Sequence, residues 1–210
     1  MSSSTIICLE VGKKKVFASA LEWPGWSRSG KTEELAIEEL AVYASRFAPV
    51  AKRAGKPLPR AVAEGFEIVE RIPGDGATEF GVPHKVASFE YEPVDARGAK
   101  LLAAFVTAAW DTLAEVAASA PAELRKGPRG GGRDRDPIVD HVFGAEVSYS
   151  RALAIKSVKD PKEVREAIAA ALATPNDGQP LKPNGWPTRY AARRIAWHAL
   201  DHAWEIEDKS

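Results

Sequence analysis

The chain predicts an α+β protein: a small N-terminal α/β sandwich in the order β-β-α-β-β, followed by an antiparallel four-helix bundle. Three observations carry that expectation. Residues 1–93 mix short alternating apolar runs with one helical run. Residues 94–210 hold four stretches of helical periodicity joined by Gly- and Pro-bearing connections. The change of character falls at Pro93, which sets the expected boundary between domains 1–93 and 94–210.

In the first part, Ile7, Leu9 and Val11 alternate, Gly12 and three lysines mark a turn, and Val16 to Leu21 resumes a strand with Phe17 and Leu21 on one side. That is a hairpin. Trp23-Pro24-Gly25-Trp26 breaks it. Thr32 is placed to cap a helix, with Glu33 and Glu34 at the positive end of its dipole. Leu35, Ile37, Leu40, Val42, Tyr43 and Phe47 continue that helix until Pro49 disturbs it, and Gly55 closes the region. Strands are expected again at Gly65 to Ile72 and Lys85 to Glu92, with loop chemistry at Pro73-Gly-Asp-Gly76 and Gly81-Val-Pro83 between them.

In the second part, Leu102, Phe105, Val106, Ala109, Leu113 and Val116 space a helix over Ala99 to Ser119. A second helix is expected just after Asp136, with Pro137 in its first position, running through Ile138, His141, Val142, Ala145, Tyr149 and Leu153. Asp160 caps a third, Pro161 to Ala173, and a fourth runs from about Thr188 to Glu207. Gly127-Pro-Arg-Gly-Gly-Gly-Arg133 and Pro175-Asn-Asp-Gly178 are the connections.

The 210 residues are 45% apolar, enough to bury a substantial core. Twenty-nine basic residues balance 29 acidic ones, which argues against nucleic acid as a partner. The single cysteine, Cys8, lies in the apolar run Ile6-Ile-Cys-Leu9, where it reads as a buried small hydrophobe. The first residues lack the basic and apolar regions of a leader, and no stretch is expected to span a bilayer. A cytoplasmic protein with a small-molecule substrate is therefore the expectation, with a homodimer an allowed assembly and no membrane partner.

Only four histidines exist, and two of them, His198 and His202, are one helical turn apart. Residues at i and i+4 project from one side of a helix, so both imidazoles can address one ion. His141 lies on a separate expected helix. Three imidazoles from two helices suit zinc, nickel, iron or copper and leave room for a water or substrate. His84, in the loop after Gly81, is left out of this set.

Gly144, one turn from His141, permits close packing or leaves space for a ligand. Glu205 and Asp201 are candidate partners for the rings, Asp140 a weaker one because its direction differs from that of His141. Arg194 falls near His198 on the helix and can reach an anionic substrate. Trp186, Tyr190 and Trp197 can wall a pocket or simply pack. The basic loop Arg125 to Arg135 can hold a carboxylate or phosphate, or serve as a solvated connection. It lacks the ending of a nucleotide-binding P-loop.

The segments Ile138-Val-Asp-His141-Val and Ala196-Trp-His198-Ala-Leu-Asp-His202 resemble the DinB/YfiT-like superfamily of four-helix bundles, over about residues 94–208. That resemblance implies one divalent metal, zinc or nickel, held by His141, His198 and His202. It also implies chemistry among thiol-dependent S-transfer and isomerisation. The Ala-, Arg- and Gly-rich composition points to a high-GC bacterium, where mycothiol is the candidate low-molecular-weight thiol. The N-terminal segment, through Ala18-Ser-Ala-Leu-Glu-Trp-Pro24-Gly25 and Gly30-Lys-Thr32-Glu-Glu-Leu, resembles the HicB-like small α/β fold. No DNA-binding element accompanies it, so no antitoxin function is carried over.

Two functions follow as expectations. The first is a metal-dependent transferase, isomerase or hydrolase, with Glu205 as general base or ring orienter and Arg194 as anion contact. The second is a non-catalytic ligand- or protein-binding module with a structural metal or none, presenting the Trp23–Trp26 turn as a contact surface. A structural site would be closed by Glu205 or Asp201 as a fourth ligand, whereas a catalytic one would open to solvent through a pocket.

Overall fold

The expected N-terminal hairpin forms in the computed structural model, which describes residues 4–59, 62, 65–127, 131–156 and 160–210. Strands β1 (Thr5–Val11) and β2 (Val16–Ala20) pair antiparallel, and Gly12 N–H donates to the Lys15 carbonyl at the turn. A third strand, β3 (Ser27–Gly30), pairs antiparallel with β2, and β4 (Phe66–Pro73) pairs parallel with β1. The four-stranded sheet has the order β3-β2-β1-β4. All five residues of β2 are buried, so the middle of the sheet is covered on both faces.

The order β-β-α-β-β is thereby corrected at two places. A strand precedes the first helix, and the strand expected at Lys85 to Glu92 is a 3₁₀ turn, Ser88–Tyr91. In that segment the buried side chains are Ala87 and Glu90, three residues apart, while Tyr91 is exposed. The Glu90 carboxylate accepts from the Ala87 N–H (2.8 Å) and pairs with Arg193, which holds the turn in its helical form.

Thr32 caps α1 (Glu33–Val42), its hydroxyl accepting from the Leu35 N–H. The chain breaks at Tyr43, and α2 (Ala44–Arg53) carries Pro49 inside it rather than ending there. A proline inside a helix removes one backbone bond, and burial of Phe47, Val50 and Ala51 retains the helix despite that loss. The short α3 (Gly76–Phe80), capped by Asp75, occupies what reads as loop.

The four expected C-terminal helices are present: α4 (Ala96–Ser119), α5 (Arg135–Ala152), α6 (Pro161–Leu172) and α7 (Thr188–Lys209). The first begins three residues earlier than expected, capped by the Asp95 carboxylate on the Gly98 N–H (2.7 Å). Helix α5 begins before Asp136, with Asp134 at its cap position and Pro137 inside its first turn. Asp136 instead pairs with Arg135 (2.7 Å). Asp160 caps α6 as expected. Helix α4 packs against α7, α6 and α2, and α5 against α7 and α6.

By length and composition α4 is able to cross a membrane, contrary to the expectation that no stretch is. One face of it, with Leu102, Phe105, Val106 and Leu113, is buried against the neighbouring elements, the pattern of a core helix.

One hydrophobic core runs across Pro93. Trp26 is fully buried, stacks on Phe47 (5.6 Å between ring centres) and donates its indole N–H to the Leu40 carbonyl (2.9 Å). Phe47 stacks in turn on Phe105 of α4 (6.1 Å). Trp23 is also buried, which corrects the idea of this turn as a contact surface. At its tip Gly25 has φ +99°, and a Cβ there would stand 2.9 Å from Leu200 and 3.0 Å from Ala196 of α7. The turn is seated on the helix that carries two of the histidines.

Candidate metal centre

Helix α7 is buried through most of its length, without a break from Tyr190 to Leu200. An all-round apolar environment of this kind belongs to a central helix. Its pairing with α5 brings His141 to His198 and His202. The three ring centres lie 4.8–5.1 Å apart, and one ring nitrogen from each falls within 4.8 Å of the other two. His198 is buried, His202 half-buried and His141 exposed, so the cluster runs from the interior to the surface.

The Nε2 atoms of His141 and His198 are 3.3 Å apart. Two nitrogens coordinated at about 2.0–2.1 Å to a tetrahedral zinc stand roughly 3.3–3.4 Å from each other. The spacing already present therefore fits a shared cation. His202 donates Nδ1–H to Glu205 Oε2 at 2.7 Å, the protonation that leaves its Nε2 lone pair free. Glu205 also pairs with Lys209. The bond from His202, then the Lys209 ammonium, hold the Glu205 carboxyl down at about 2.

Burial, reinforced by His202, Arg194 and His141, pushes His198 down to about 2, so its ring is neutral at physiological pH. Burial and the neighbouring His202 lower His141 as well. Neutral imidazoles are the form that ligates. The Nδ1 of His198 is buried with no hydrogen-bond partner. An unmatched buried ring nitrogen is costly, on the order of 1–3 kcal/mol, and is the kind of local sacrifice found where a site serves something other than stability.

Asp201 and Asp140 stand elsewhere. Asp201 takes Arg28 of β3 at 2.9 Å, so it orients no imidazole. Asp140 lines a cleft of about 410 Å³ with Asp136, Val139, Arg135, Ala117 and Ala118. Gly144 opens to solvent, with nothing within 4 Å of a Cβ placed on it. His84 lies apart from the cluster, against Asp75 (2.7 Å). Cys8 is buried, and burial pushes its thiol up to about 12.

Of the expected aromatic wall, Trp186 packs on Tyr190 (5.0 Å), while Trp197 meets Phe17 of the sheet (6.1 Å). The Tyr190 hydroxyl donates to the His84 carbonyl. Tyr149, unassigned in the sequence reading, is the aromatic neighbour that matters: its ring is 5.9 Å from His198 and 5.1 Å from Trp186. Its signal was the ladder of four-residue steps from His141 through Ala145 to Tyr149. The Arg194 guanidinium lies near the Tyr149 ring (5.3 Å) and the Trp197 ring (4.7 Å).

In the basic loop, residues 128–130, Arg129 among them, lie outside the described residues. Arg125 is tied to the Lys209 and Asp208 carbonyls, Lys126 to Asp134, and Arg135 to the Ala120 carbonyl and Asp136. Those backbone and side-chain contacts fasten the loop to the ends of α4, α5 and α7. Arg133 is near enough to the histidines for its charge to lower both His141 and His198. Compared with known proteins, the chain matches no family model, no curated protein and no solved structure.

Proposed function

We propose that His141, His198 and His202 hold one divalent metal, zinc or nickel, and that the protein is a metal-dependent enzyme acting on a small molecule. The observation that carries this reading is the convergence of three ring nitrogens within 4.8 Å while the nearby carboxylates are engaged by other groups. On the same reading, the four C-terminal helices constitute a DinB-like bundle, which α7 and α5 serve as the ligand-bearing pair.

A three-imidazole metal supplies Lewis-acid activation of a water or thiol at its remaining position. The residues of the chain have separate duties. His198, neutral and buried, is the fixed inner ligand. His141, exposed, sits on the side from which solvent and substrate arrive. Glu205 orients the ring of His202 rather than taking a proton, because a carboxylate held at about 2 is a weak base near neutral pH. The same arrangement serves transfer or isomerisation through a low-molecular-weight thiol such as mycothiol, and hydrolysis.

One observation favours the second reading, a structural metal in a binding module. Five cavities among the described residues, about 190–570 Å³ in volume, are lined by none of the three histidines. The exposure of His141 and the prior engagement of Glu205 and Asp201, the two carboxylates placed to close the coordination sphere, weigh against it.

Elemental analysis of protein purified without an affinity tag tests the proposal. One equivalent of zinc or nickel per chain is expected, lost in His198→Ala and His202→Ala while the helical circular dichroism survives. Failure of the wild type to retain metal after loading with either ion would overturn it. A cobalt-loaded sample whose visible spectrum shifts on adding a thiol has an open position; an unresponsive spectrum assigns the structural role.

A further inference from the structure

Among the described residues, the buried Arg193 and the half-buried Arg165 and Arg28 each carry a carboxylate. Arg193 grips Glu90 (2.7 and 3.0 Å), and Arg165 grips Glu146 (2.8 and 3.0 Å). The partly buried Arg28 holds Asp201 (2.9 Å). Arg194 breaks the pattern. It is 7% exposed, it forms no ion pair among the described residues, and its Nη1 is buried with no hydrogen-bond partner. Its neighbour in sequence, Arg193, makes three hydrogen bonds and has no orphaned buried nitrogen, so the deficit belongs to this position and not to the helix.

Rings beside a guanidinium leave its N–H donors in need of an acceptor, and its planar fork matches the two oxygens of a carboxylate. Arg194 and His198 are one turn apart on α7, about 6 Å along the axis. Tyr149 bridges them, since its ring lies against both the guanidinium and the imidazole. Tyr149 and Trp186, each partly exposed, pack on each other (5.1 Å) beside this group. With a dication on neutral imidazoles, the cluster would carry an excess of positive charge beside an unmatched arginine.

We infer that the small molecule taken by this centre is a carboxylate, its two oxygens accepting from Arg194 and its flat or apolar body lying against Tyr149 and Trp186. This rests on the metal reading and names the substrate class of the same site. Arg194 acts here as a binding residue. The single negative charge completes the buried cation and sets the remainder of the molecule one helical turn away, toward the three ring nitrogens.

The test uses the zinc-loaded full chain, with benzoate and inorganic phosphate as probes, in the wild type and in Arg194→Gln. Calorimetry is expected to show benzoate binding that weakens roughly 10-fold or more in the variant, with one zinc per chain in both proteins. Equal benzoate affinity in the two, or Arg194-dependent binding of phosphate with benzoate silent, would overturn the carboxylate assignment and leave the metal standing. Absence of zinc from the wild type would overturn both. Should the variant fail to fold, the arginine Nε–H resonances of the zinc-loaded wild type decide. One that sits in a buried, ring-shifted environment is expected to move on adding benzoate, and none moving would reject the inference.

Discussion

His202 Nδ1 stands 2.7 Å from Glu205 Oε2, and the other oxygen of that carboxylate is held by Lys209, so three residues on consecutive turns of α7 form one line. The line fixes which nitrogen of His202 carries the proton. Replacing Glu205 with Gln keeps an acceptor but removes its charge, and Ala removes both. Zinc affinity, measured by competition with a chromophoric chelator, is expected to fall about 10- to 100-fold in Glu205→Ala and by less in Glu205→Gln. Unchanged affinity in both would mean that the contact has no bearing on the metal.

The pair Glu90–Arg193 is buried at both ends, 2% and 3% exposed, and joins the 3₁₀ turn to α7. Removing one member leaves an uncompensated interior charge. Glu90→Ala is expected to lower unfolding free energy by about 3–5 kcal/mol, read from urea denaturation. The exposed pair of Arg53 with Glu115 provides the contrast: Glu115→Ala should cost no more than about 1 kcal/mol. Similar losses at the two sites would refute the distinction drawn from burial.

Much of this arrangement was legible in residue order because periodicity and caps are local. The hairpin, the Thr32 and Asp160 caps, four C-terminal helices and the i, i+4 histidines all follow from neighbours within a turn or two. What escaped depends on distant contacts. Ser27–Gly30 has no apolar alternation, and becomes a strand because it pairs with β2 under α1. Glu90 reads as a polar position of a strand until Arg193, over a hundred residues on, buries it. Asp201 looks like a ring partner on a helical wheel, yet Arg28 claims it from the sheet. Tyr149 and the orphaned Nη1 of Arg194 are visible only once α5 lies on α7.

Cys8 gives a pH dependence away from the histidines. Burial raises its thiol from the ordinary 9.0 to about 12, so the folded state resists losing that proton while the unfolded chain does not. A folded pKa above the unfolded one contributes stability that is complete below about pH 8.5 and is lost as pH rises toward 12. The expected slope is about 1.4 kcal/mol per pH unit at most above pH 9. Urea unfolding under reducing conditions, at pH 8 and pH 10, should show a smaller alkaline loss in Cys8→Ala than in the wild type. Identical losses would assign the alkaline sensitivity to other groups.

Two glycines should respond in opposite directions to the same added methyl. A Cβ on Gly30 would fall 2.4 Å from the Ala36 nitrogen and 2.5 Å from the Leu35 carbonyl carbon, both backbone atoms of α1. Neither can rotate away, so Gly30→Ala must separate β3 from α1 and is expected to cost roughly 1–3 kcal/mol. It should also loosen Arg28, and through it the ion pair to Asp201 on α7. Gly144 lies within α5 with open space around its missing Cβ. There the substitution only restricts the unfolded chain and favours the helix, for a gain of about 0.5–1 kcal/mol. Thermal unfolding of both variants beside the wild type checks the pair. A loss at Gly144 would show that the space beside His141 is needed for packing, whereas a gain with unchanged zinc binding leaves that opening free for a ligand.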